Sequence, residues 1–310
     1  MAKKKTRKEL KPLEYTCTIL CFTSRVWTAT KMDKALTERV ASGLNTNSDW
    51  GSFQKRLVAK SVVADITKLV GQARNYLKGD SPGIVDGQFI PGGLPPWDKK
   101  GRSVLPNALN DTVLKNMAAY KEKYEELWKE LRVRLPSARQ EAKHEAGDAY
   151  NESDILNFDN ILDEKFSFEF KEEPIPSGDV RCEMSKTWKD NFQKKQDRAQ
   201  EEKVEEITSH ALSTSVGVLS HFAEACENYD EGNKRAHSFR DSSVAKVKEL
   251  IPVVRALNVA KDARIEKIAN ECEKGLGGVT AEEFRTSGDK RKDAAKKARD
   301  LSSNIDKMFS

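Results

Sequence analysis

The sequence predicts a mainly α-helical protein. A small two-stranded β-ribbon is set among helices and followed by a long antiparallel helical hairpin of coiled-coil type. Three observations predict it. Charged residues make up 33% of the 310-residue chain and the apolar set only 37%, the profile of amphipathic helices with narrow apolar stripes and wide solvated faces. Apolar residues recur at regular spacing almost throughout, which sets the chain apart from disordered sequences of similar charge. Only two segments, residues 13–27 and 166–170, carry the period-two, β-branched and aromatic pattern of strands.

The chain opens with MAKKKTRKELK (1–11), six Lys/Arg and one Glu, which leaves 48 basic against 48 acidic residues elsewhere. The positive balance therefore belongs to this tail. It reads as a disordered, solubilising end or, through Lys3, Lys4, Lys5 and Arg7, as a contact for nucleic acid or an acidic partner. The first strand, LEYTCTILCFTSRVW (13–27), alternates Tyr15, Cys17, Ile19 and Cys21 with Thr16, Thr18, Leu20 and Phe22. The second, FSFEF (166–170), puts Phe166, Phe168 and Phe170 on one face. A lone strand leaves its backbone groups unsatisfied, so the two are expected to pair.

Between them the pattern is helical. Residues 31–42 form a short helix ended by Gly43. Residues 53–77 carry Phe53, Leu57, Val58, Val62, Ile66, Leu69, Val70 and Leu77 near helical spacing, stopped by Gly79. A third helix over 111–135 presents Leu114, Met117, Tyr120, Tyr124, Leu127, Trp128 and Leu131 and is broken by Pro136. Ser137 to Gln140 then has the form of a capping box. Residues 141–173 are acidic, eleven Asp/Glu against three Lys, and read as a solvated face or a dock for a basic partner. EEPIPSGD (172–179) is the expected domain boundary.

After it, a helical pattern runs from about Asp179 to Asp230 through Trp188, Phe192, Ala199, Val204, Ile207, Ala211, Val216, Leu219, Phe222 and Cys226. Gly232 and Asn233 turn the chain, and a second arm spans about 237–274, with Pro252 expected to kink or break it. GLGG (275–278) ends that arm. Thr280 to Glu283 is a second capping box and opens one last helix. The organisation is thus a basic tail (1–11), an α+β domain (12–176), a hairpin (177–278) that offers a surface for self-association, and a C-terminal helix (279–310).

Several kinds of chemistry find no support. No run of 18 apolar residues exists for a membrane span, and no apolar core follows the basic N-terminus as in a secretory signal. The scattered Cys17, Cys21, Cys182, Cys226 and Cys272 read as reduced thiols of a cytoplasmic protein. His144, His210, His221 and His237 lack Cys or His partners at zinc spacing. There is no phosphate-binding loop, dinucleotide fingerprint or calcium loop. No catalytic residue, metal or cofactor is assigned, and a non-enzymatic role is expected.

The candidate recognition element is the segment 79–106, which concentrates six of the 17 Gly and five of the 10 Pro. Ordinary loops stop near ~12–15 residues, and longer ones are functional or disordered. This one holds Phe89, Ile90, Leu94, Trp97, Val104 and Leu105, too apolar for a flexible linker. It is expected to lay Trp97 on the helical body and present Lys99, Lys100 and Arg102. Trp50 and Trp97 are also the aromatics placed to stack on bases, as single-strand binders require, whereas Trp128 and Trp188 are assigned to packing.

The order SRVWTATKMD (24–33), LPPWDKKGRSVLP (94–106), FSFEFKEEPIP (166–176) and the helices after Asp179 resembles an uncharacterised family found in bacteriophages and bacteria. Members are often encoded beside a MoxR-type AAA+ ATPase and a von Willebrand A-like protein. The resemblance implies a phage-encoded adaptor or scaffold in the host cytoplasm, acting with that ATPase, and assigns no catalytic residue. The alternative is a single-stranded-DNA-binding protein of a phage replication or recombination module, contacting nucleic acid through the tail and the Trp97 loop.

Overall fold

The computed structural model describes residues 13–147, 150, 151, 154, 158–176, 186–229, 241–276, 278 and 280–309. The basic tail with Lys3, Lys4, Lys5 and Arg7, Cys182, the turn at Gly232 and Asn233, and His237 lie outside the described residues. In chain order the elements are β1 (Cys17–Arg25), β2 (Thr30–Met32), α1 (Lys34–Gly43), β3 (Gln54–Arg56), α2 (Lys60–Leu77), β4 (Arg102–Pro106), α3 (Asn110–Ala146), α4 (Phe158–Lys165), β5 (Ser167–Glu173), α5 (Lys186–Glu227), α6 (Asp241–Leu257), α7 (Ala263–Leu276), α8 (Ala281–Thr286) and α9 (Gly288–Phe309). The protein is mainly α-helical with a small β component, as its sequence predicts.

The chain divides into two compact units. One comprises Met1–Cys21, Arg74–Asn116 and Lys171–Ser310; the other comprises Phe22–Ala73 and Met117–Phe170.

The two strands read from the sequence are neighbours, but β1 lies between β5 and a third strand, β4. β4 pairs antiparallel with β1, Cys17 opposite Pro106 and Cys21 opposite Arg102. RSVLP looks like loop because it is five residues long and ends in proline. It is an edge strand, where a missing backbone donor is tolerated, and Val104 and Leu105 are fully buried. A second small sheet pairs β2 with β3, Thr30 opposite Arg56. The helix expected over 53–77 therefore starts only at Lys60. Leu57 and Val58 are buried as the period suggests, yet the backbone before them is extended. There Lys55 Nζ reaches Asp33 at 3.1 Å and Asp154 at 2.6 Å, contacts that a strand held beside β2 can make.

Proline placement explains two further differences. α3 continues past Pro136 and α6 past Pro252, so neither proline ends its helix. Both rings are on exposed positions, as are Arg132 and Lys248, four residues earlier. The carbonyls that lose their helical donor thus face water, and the helices continue. Ser137 does not cap a helix; its hydroxyl donates back to Arg134 O at 2.8 Å. The second arm breaks instead at 258–262, between α6 and α7. Asn258 Oδ1 accepts from Asp262 N at 2.7 Å, its Nδ2 donates to Asp262 O at 3.0 Å, and Lys261 takes a left-handed φ of 49°. This closed side-chain-to-backbone ring makes the turn that Pro252 does not.

The last segment is also two helices, with Ser287 extended between α8 and α9. The capping box at its start is present as read: Thr280 Oγ1 accepts from Glu283 N, and Glu283 Oε2 accepts from Thr280 N at 2.9 Å. α5 packs against α6 and α9, and α6 and α9 against α7. Leu219, Phe222, Val247, Leu250, Ile265, Ile268, Phe284, Ala298 and Ile305 form one buried cluster. The small buried Ala294, Ala295 and Ala298 let α9 sit close on α5, and Phe222 meets Phe284 edge-on at 5.6 Å. The apolar positions 207–226 of α5 are thus largely consumed inside this bundle.

In the other unit, Phe22 and Tyr124 flank Phe168 at 4.8 and 5.3 Å. Tyr124 Oη donates to Arg25 O at 3.4 Å, and burial pushes its phenol up to about 12.

Candidate functional site

The segment 79–106 is an ordered strap. Gly79 (φ 80°) ends α2, and a Cβ there would collide with the Ile90 carbonyl. The start of the strap therefore passes backbone to backbone against residues 90–93, and Leu94 N donates to Leu77 O at 2.8 Å. Asn116 of α3, fully buried, ties the first bend: its Oδ1 accepts from Val85 N at 3.0 Å, and its Nδ2 donates to Asp86 Oδ2 and Thr112 O. Phe89 N donates to Glu249 Oε2 at 2.7 Å, and Lys246 Nζ lies 5.0 Å from the Phe89 ring. Burial raises the Glu249 carboxyl above its ordinary range, with the Phe89 amide partly opposing the rise.

The strap then follows α5. Gly92 lies on the Thr214 side chain. His210 Nε2 donates to Gly93 O at 3.1 Å, which fixes the tautomer because a carbonyl only accepts. Lys203 Nζ stands 5.5 Å from the Trp97 ring centroid. Positions 203, 210 and 214 recur at helical spacing, so one face of α5 receives the strap.

Trp97 is half-buried on the helical body, as expected. Lys99 and Lys100 are exposed at the tip. Arg102 is held, with Nε 2.9 Å from Asp98 Oδ2 and Nη1 3.2 Å from Glu173 Oε2. The Arg102 guanidinium in turn holds the Asp98 carboxyl below its usual range. Among the described residues, the tip therefore offers two lysine side chains without an ion pair, while Arg102 is engaged.

A second surface lies in the unit containing Trp50. Asp33 caps α1 by accepting from Leu36 N at 3.0 Å, and Thr37 Oγ1 accepts from Phe53 N at 2.9 Å. These bonds set α1 beside the turn Ser48–Trp50. Trp50 is 87% exposed and Leu44 71% exposed; Met32, Val40 and Phe53 are also exposed. Val40, Leu44, Trp50 and Phe53 line a shallow cavity of about 240 Å³. Of these only Trp50 stood out in the sequence. Val40 falls in the short helix expected over 31–42, Leu44 lies just past its Gly43 stop, and Phe53 opens the next helical pattern, so nothing in the sequence marked them as solvent-facing.

Cys17, Cys21, Cys226 and Cys272 are buried free thiols. Burial pushes Cys17 and Cys272 up to about 11 and Cys226 to about 12. A thiol of that kind is a poor nucleophile at neutral pH. His144 and His221 are exposed, and no cluster of three potential metal ligands occurs among the described residues. No described helix is long and apolar enough to cross a membrane. Trp128 lies beside Arg132, whose guanidinium is 5.3 Å from its ring. Trp188, expected to pack, is 39% exposed and stacks on Phe192 at 5.1 Å.

No family model, curated protein or solved structure matches the chain.

Proposed function

We propose that this chain is a non-enzymatic adaptor that docks a AAA+ ATPase of the MoxR type through the face formed by Met32, Val40, Leu44, Trp50 and Phe53. The observation that carries the reading is that face. Large apolar side chains grouped on an exposed surface mark an interaction site, and Trp is among the residues enriched at the anchors of interfaces. The identity of the partner rests on the sequence resemblance around Trp27, Trp97 and the FSFEF strand.

Affinity capture of the tagged full chain from its host, with nuclease present and read by mass spectrometry, tests the proposal. A AAA+ ATPase retained by the wild-type chain and lost with Trp50→Ala or Leu44→Ser supports it. Retention of the ATPase by both variants refutes the docking face, and the absence of any AAA+ ATPase refutes the partner.

A further inference from the structure

The first five turns of α5 differ from the rest of that helix. No residue from Lys186 through Glu206 is buried, and burial begins at Ile207. Residues 186–198, KTWKDNFQKKQDR, hold five Lys/Arg against two Asp. Arg198 is paired with Glu202 at 3.0 Å, and Gln193 donates to Asp197. Lys186, Lys189, Lys194 and Lys195 are in no ion pair among the described residues. Trp188 and Phe192 are stacked rings, 5.1 Å apart and 12° from parallel, on this otherwise polar stretch.

Helical spacing sets the geometry. Trp188, Phe192 and Lys195 stand at i, i+4 and i+7, and Lys189 and Phe192 at i and i+3. The aromatic pair is therefore bracketed by a lysine on each side. Phe192 and Lys203, eleven residues apart, share a face of α5. Lys203 is the residue against which the strap lays Trp97, with the exposed Lys99 and Lys100 beyond. At 1.5 Å per residue, Trp188 and Lys203 are separated by about 22 Å along the axis. Aromatic faces with flanking lysines along one line are what single-stranded nucleic acid uses: bases stack on the rings and phosphates meet the cations. The four Glu at 201, 202, 205 and 206 confine the favourable potential to the N-terminal end of the helix and to the strap tip.

We infer that the N-terminal turns of α5 form a single-stranded nucleic-acid-binding face, with Trp188 and Phe192 as the stacking pair and Lys189 and Lys195 as phosphate contacts. The inference stands apart from the adaptor reading, which rests on other residues. It is tested by fluorescence anisotropy of the full chain with a labelled oligo(dT) 20-mer over a salt series. Two variants serve, Lys189→Ala/Lys195→Ala and Trp188→Ala/Phe192→Ala. None of the four side chains is buried, and helix content and melting temperature measured alongside are expected to be unchanged. The lysine variant should lower the slope of log affinity against log salt by about 1.4, two phosphate contacts at ~0.7 each. The aromatic variant should weaken binding at least about tenfold at every salt concentration. Wild-type protein that fails to bind the oligonucleotide at micromolar concentration in low salt would overturn the inference, as would variants that bind like the wild type. Lysine-dependent binding of poly-glutamate without binding of the oligonucleotide would assign the face to an acidic polypeptide instead.

Discussion

Gly93 shows how tightly the strap is built. Its φ is 72°, and a Cβ there would run into the backbone of Lys78 and lie 2.6 Å from Leu77 O. Gly93→Ala is therefore expected to lose about 1–3 kcal/mol of stability, seen as a lower urea midpoint with an unchanged slope. Glu283 gives a pH dependence. The bond from Lys290, then those from the Thr280 amide and hydroxyl, hold its carboxyl at about 2, against an ordinary 4.5. A carboxyl depressed by folding contributes stability that is full above the ordinary value and lost as pH falls toward the folded one. The gap in melting temperature between wild type and Glu283→Gln should be full at pH 7 and close between pH 4.5 and 2. A gap that stays constant over that range would show that the ion pair is not what Glu283 contributes.

At the scale of elements, α3 carries the clearest prediction. Pro136 occupies an exposed interior position, removes one helical hydrogen bond and strains the preceding turn. Pro136→Ala should raise stability by about 1–3 kcal/mol, with more helical signal in circular dichroism; a loss would mean the proline shapes the helix for packing. The same residue shows where sequence reading stops. Proline is a breaker by its chemistry, but whether a helix survives it depends on where the orphaned carbonyl points, which is a tertiary fact. The capping box at Thr280 was legible because both of its partners are local. The one at Ser137 was not real, since a Ser and a Gln three apart also occur mid-helix. The pairing of β1 with β5 followed from the need of each strand for a neighbour. β4 was hidden because a five-residue run ending in proline carries too little pattern. The exposed face around Trp50 was the least legible feature, because periodicity reports that Val40 and Leu44 share a helix face, not whether anything covers it.

For the molecule as a whole, much of the apolar surface is consumed internally. The bundle of α5 to α9 spends the apolar positions of α5 from Ile207 to Cys226 on itself, and the strap 79–106 spends Ile90 and Leu94 on its own unit. The face of Met32, Val40, Leu44, Trp50 and Phe53 stays open to solvent, and the adaptor reading rests on it. The most direct test is calorimetric titration of the purified full chain against the purified AAA+ ATPase, wild type beside Trp50→Ala and Leu44→Ser. Saturable binding by the wild type is expected, with at least about a thirtyfold loss in the Trp50 variant, the ~2 kcal/mol or more of an interface anchor. Equal affinity of all three proteins would contradict the adaptor reading.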